Sequence, residues 1–206
     1  MSGFAAVVAV LVSLVAGATP AGQPETGPPP GHLVVSLVTV IGSGCRPGTV
    51  NVAPGTDNTA LTVTYRNYVA AVGVGASPID MRKNCQLGVR VDIPRGYTFA
   101  IGRADYRGLA RLASGASGIQ RAGYYFQGIS QTAVSSHDFR GPYNRRWQAT
   151  DSKPLTTLSF PPCGQSRILN INSSLIVNGG SSDTRTTRSF MRMDSNSLYH
   201  LQWRRC

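Results

Sequence analysis

Leu87-Gly88-Val89-Arg90-Val91-Asp92-Ile93 carries an apolar side chain at every second position, with a glycine or a charge between. Side chains of a strand project alternately to its two faces, so this run is a half-buried β-strand. Working outward, the same period of two recurs in Leu61, Val63 and Tyr65 against Thr62, Thr64 and Arg66, and in Leu169, Ile171 and Ser173 against Asn170 and Asn172. It closes the chain, where Tyr199, Leu201 and Trp203 alternate with Leu198, His200, Gln202 and Arg204. No window repeats apolar residues at helical spacing for three turns.

Turn chemistry separates these runs: Arg46-Pro47-Gly48, Ala53-Pro54-Gly55, Pro94-Arg95-Gly96, Arg140-Gly141-Pro142 and Asn178-Gly179-Gly180 preset the dihedrals that chain reversals need. Short strands between such turns predict an all-β sandwich or barrel, and we read a single-domain antiparallel β-sandwich. Leu33–Ile41, nearly all β-branched or leucine, reads as the first strand and an ordinary core strand. Tyr97–Gln131 reads as two or three strands, with Ser114-Gly115-Ala116-Ser117-Gly118 as a hairpin tip.

The charge is carried unusually. Lys+Arg number 20 against nine acids, a net +11, and only Lys83 and Lys153 are lysines. Glu25 is the one glutamate. Scarce Glu and Lys, with abundant Gly, Thr, Ser and Val, again argue against helices. A basic surface attracts anions such as nucleic acid, anionic lipid or an acidic wall polymer, although an arginine-rich exported domain also acquires such a charge with no ligand at all.

From Phe4 to Ala16 the chain is apolar apart from Ser13, and Ala16-Gly17-Ala18 fits a small-x-small cleavage site. The run is shorter than the roughly 20 residues of a membrane span. Residues 1–18 therefore read as a signal peptide, although Met1-Ser2-Gly3 lacks the usual basic residue and an uncleaved anchor is the alternative. Thr19–Gly31 holds five prolines and reads as an extended, mobile spacer, leaving 32–206 as the domain. The expected location is extracellular, with no integral membrane segment after signal cleavage.

Cys45, Cys85, Cys163 and Cys206 admit three pairings. Locality favours Cys45 with Cys85 and Cys163 with Cys206, and Cys45 with Cys206 is the second choice. The wide spacings argue against a zinc site. A cysteine as the last residue means that the terminus is tied down.

The stretches Cys45-Arg46-Pro47-Gly48-Thr49-Val50, Arg82-Lys83-Asn84-Cys85-Gln86-Leu87, Tyr124-Tyr125-Phe126-Gln127-Gly128, Pro162-Cys163-Gly164 and Leu201-Gln202-Trp203-Arg204-Arg205-Cys206 together resemble the exported bacterial and fungal proteins of Domain of Unknown Function 4360. The resemblance spans Cys45 to Cys206. It implies export and a cysteine-stapled domain, and it implies no activity or catalytic residue.

Catalytic chemistry finds little support. His137, in Ser135-Ser136-His137-Asp138, has hydroxyl and carboxylate neighbours, but neighbours on a strand face opposite ways and do not make a triad. His200 reads as structural. Most aspartates adjoin turns, where they cap amides, while Asp105 beside arginines in a strand reads as an ion pair. Gly55-Thr56-Asp57-Asn58-Thr59 is too sparse for a calcium loop. We expect no cofactor and no metal site. The most suggestive segment interleaves Arg140, Tyr143, Arg145, Arg146 and Trp147, since arginine forks grip phosphates and aromatic faces stack on bases or sugars. The competing reading makes Trp147 and Trp203 core anchors. The function expected is a secreted, non-enzymatic binding or structural module with an anionic polymer or polysaccharide as partner. The alternatives are a hydrolase using His137 or Asp105, and a toxin or inhibitor with a protein partner.

Overall fold

A computed structural model describes residues 27–129, 133–193 and 196–206. Residues 1–18, read as the signal peptide, and the first part of the spacer lie outside them. The strands are β1 (Val34–Ile41), β2 (Val50–Pro54), β3 (Ala60–Tyr65), β4 (Val69–Gly73), β5 (Arg82–Asp92), β6 (Tyr97–Leu112), β7 (Ser117–Phe126), β8 (Ala133–Arg140), β9 (Tyr143–Ser152), β10 (Ile168–Asn178), β11 (Arg188–Met193) and β12 (Ser197–Arg205). Short 3-10 turns occur at Pro78–Asp80 and Leu155–Thr157.

Two antiparallel sheets divide these strands. The first runs β1-β5-β10-β7-β8, and the second runs β2-β3-β12-β6-β11-β4 with β9 also on β6. The long β6 organises the second sheet. Its Arg103–Asp105 pairs with both β12 and β9, and its Gly108–Arg111 with both β11 and β9. Thus β12 and β11 lie end to end along one edge of β6, and β9 takes the other.

Period-two patterning fills the space between the sheets. From the first sheet, Leu87, Val89, Val91, Leu169, Ile171 and Leu175 are fully buried, and from the second so are Leu61, Val63, Phe99 and Tyr106. Each such side chain stabilises the fold by roughly 1.5–3 kcal/mol. Trp203 is buried at the C-terminal end, where its ring packs 5.2 Å from Phe99. The disulfides join Cys45 to Cys85 and Cys163 to Cys206, the pairing that locality favours.

Three expectations change. The turn at Ala113–Ala116 is real, closed by the Ala116 amide donating to the Ala113 carbonyl at 3.0 Å, but β6 and β7 belong to different sheets. It is an arch between sheets, not a hairpin tip, because each flanking strand finds better partners elsewhere. Strand β1 is an edge strand, with Val34 61% and Ile41 60% exposed, so it is not an ordinary core strand. Only one face of β1 has the other sheet to pack against. The end of the spacer is also anchored. Asn58 donates to the carbonyls of Pro29 at 3.1 Å and Gly31 at 2.6 Å, accepts from the Leu33 amide at 3.2 Å, and offers its own carbonyl to Trp203 Nε1 at 2.7 Å. The loop that is too sparse for calcium is thus a clamp between the two ends of the domain.

Candidate anion-binding surface

The segment from Arg140 to Trp147 does not form one patch. Trp147 is 2% exposed, its ring 5.4 Å from Phe139, so it belongs to the core. Glycine is required beneath it, since a Cβ at Gly108 would run into the indole and the Arg192 carbonyl. Arg140 ends β8 in the first sheet, while Arg146 lies in β9 of the second, paired with Leu109. Arg145 stacks over the Tyr143 ring at 4.9 Å. The alternation that makes these strands also scatters the residues that adjacency had grouped. Trp203 is likewise buried, while Arg204 and Arg205 lie over Phe160 and Tyr97.

Two of the three histidines, His137 and His200, have carboxylate partners. His137 Nε2 lies 2.7 Å from Asp151 Oδ1, bridging β8 of one sheet and β9 of the other, and His200 Nε2 lies 2.8 Å from Asp105 Oδ2. Asp138, next to His137 in sequence, is on the opposite face of β8 and takes no part. Around Asp151 the tyrosines stay protonated at neutral pH. Burial, with the Asp151 charge, pushes Tyr124 up to about 12 and Tyr106 well above its ordinary value. These phenols therefore supply no base. Among the described residues no group of three or more His, Cys, Asp or Glu side chains could hold a metal.

Asp105 is the ion pair its neighbours suggest. Desolvation pushes its carboxyl upward, but hydrogen bonds from Arg103, Thr150 and His200 outweigh this and hold it down at about 2. Arg103 Nη2 donates at 2.9 Å and Thr150 Oγ1 at 2.6 Å. The other loop aspartates cap amides: Asp57 accepts from Thr59, Asp80 from Ser77 and Asp183 from Arg185.

Asp105 sits in a larger pattern that reading adjacent residues misses. Along β6, Arg103, Asp105, Arg107, Leu109 and Arg111 share the outer face of the second sheet, and the three arginines are exposed. In register beside Leu109 stand Arg146 of β9 and Arg192 of β11, both exposed. Arg107 and Arg111 are about 13 Å apart along the strand, and the row Arg192, Leu109, Arg146 spans about 10 Å. Four guanidinium groups thus crowd one face, and the carboxylate on the same stretch of β6 is engaged by Arg103. Spacing by four in a strand is the signal that could have found this. It requires recognising β6 as one continuous 16-residue strand.

Fold and site together define a disulfide-stapled β-sandwich with arginines crowded on the outer face of one sheet. The family model described as "Domain of unknown function (DUF4360)" matches residues 31–206, and the chain belongs to that family. A relative described as "Uncharacterized secreted protein", from Arthroderma benhamiae, is 33% identical over 184 residues, covering 87% of this chain and 74% of that protein. Among solved structures, the enzymatically active domain of bacteriophage CBA120 tailspike protein 4 matches at 10% identity over 85% of this chain, with a TM-score of 0.27. This chain spans 19% of that one, and so distant a likeness carries no argument.

Proposed function

We propose that the protein is a non-enzymatic module that attaches to an anionic polymer at a cell envelope through the outer face of its seven-stranded sheet. The supporting observation is the convergence of Arg107, Arg111, Arg146 and Arg192 on that face. Like charges set near one another on a sheet repel, and an anion lying across them relieves that repulsion. Arginine suits the task because its planar fork grips phosphate or carboxylate with two hydrogen bonds. The stapled, two-sheet frame holds these side chains on strands, which place them more accurately than loops do.

The test is retention of the protein on poly(glycerol phosphate), polygalacturonate and anionic vesicles across a salt series. Binding that weakens steeply with salt and falls in an Arg107→Gln/Arg111→Gln variant is expected. Absence of retention on all three at low salt would remove the reading.

A further inference from the structure

The outer face of the five-stranded sheet, on the other side of the molecule, has a different chemistry. An open trough of about 320 Å³ crosses it. In one cross-strand row Gln86 of β5, Asn172 of β10 and Gly123 of β7 stand side by side, and in the next stand Asn84, Ser174 and Arg121. Arg82 stands one row further along β5. Gly123 has no side chain, so the floor drops beside Asn172. Val134 of β8, 66% exposed, forms an apolar rim at the sheet edge.

The lining points to a ligand, since Asn84, Gln86, Asn172, Arg82 and Arg121 all border the trough. Gln86 offers an amide donor and an acceptor, and beside it stands Asn84, whose oxygen accepts from Ser43 Oγ at 3.0 Å and whose amide nitrogen is a donor, the groups that neighbouring sugar hydroxyls satisfy. The charges narrow the class. Arg82 and Arg121 are two strands and one row apart, about 12 Å between backbones, so they do not converge on one phosphate. They suit a ligand whose negative charges are spread out with hydroxyls between them.

We propose that this trough is a binding site for a short acidic saccharide, with Asn172, Gln86 and Asn84 on the hydroxyls and Arg82 and Arg121 on the carboxylates. The volume lies at the lower end of small-ligand sites, which fits one or two sugar units and modest affinity. This goes beyond attachment through the arginine face, and it uses none of the same residues.

Trigalacturonic acid is the probe, titrated into the protein by calorimetry at 0.3 M salt, where purely long-range attraction is damped. Saturable binding is expected, weakened about tenfold in Arg121→Gln and in Gln86→Ala. Both side chains face solvent, so these variants should melt like the parent. Arg107→Gln/Arg111→Gln, on the opposite face, should bind the trisaccharide unchanged. The proposal is overturned by absence of saturable binding at millimolar probe, by equal binding of the carboxyl-reduced trisaccharide, or by loss in the Arg107/Arg111 variant with none in the trough variants.

Discussion

Asn58 and Asp105 carry most of the residue-scale argument. Asn58 is 3% exposed with φ 58°, a left-handed conformation that asparagine tolerates better than most residues. Its side chain alone ties Pro29, Gly31 and Leu33. Asn58→Ala should therefore cost about 2–4 kcal/mol in urea unfolding, at about 1 kcal/mol for each lost hydrogen bond plus strain. A change under 0.5 kcal/mol would contradict the clamp. Asp105 gives a pH signature. Its folded carboxyl titrates at about 2, below its ordinary value of 3.8, so its ionised form stabilises the fold. That contribution is complete above pH 5 and drains away as pH falls through 4 towards 2, amounting to about 2 kcal/mol. Asp105→Asn should flatten this part of the acid unfolding curve, and identical curves for parent and variant would refute it. The ion pair with arginine was legible because the residues alternate in one strand. The Asp105 bond to His200 was not, since the two residues meet only through the pairing of β6 with β12.

At the scale of elements, legibility followed periodicity. Strands β3, β5, β10 and β12 announce themselves by clean alternation, because each has one face in the core and the other in solvent. Strand β6 does not, since its outer face mixes arginine, aspartate and leucine, an irregularity at Gly102 shifts the alternation between Ile101 and Arg103, and Gly108 interrupts the inner pattern. The arginine ladder was hidden with it. Strand β1 misled for the opposite reason: it is apolar on both faces, yet one face is exposed at an edge. Strand β12 lies between β3 and β6 and is stapled through Cys206 to Cys163, so it is an inner strand of its sheet. Deleting residues 201–206 should abolish cooperative unfolding, while Cys163→Ser/Cys206→Ser should lower stability by about 4 kcal/mol in the loop-entropy model. A truncated protein with unchanged melting would show that the last strand is dispensable.

At the scale of the whole molecule, export and scaffold were legible from the cysteines and from the family pattern, and the arginine face proposed for binding was not. Adjacent residues such as Arg145, Arg146 and Trp147 diverge in a strand, while residues far apart in sequence, such as Arg107, Arg146 and Arg192, meet through strand pairing. Function in a sandwich is written across strands. The basic face is accordingly the central claim, and its most direct measurement uses duplex DNA as a polyanion of known charge density. The slope of log K against log salt should become shallower by about 1.8 in Arg107→Gln/Arg111→Gln, two phosphate contacts at about 0.9 each. In Arg140→Gln/Arg145→Gln, whose side chains lie off that face, the slope should hold. An unchanged slope in the first variant, or an equal change in both, would contradict attachment through the outer face of the seven-stranded sheet.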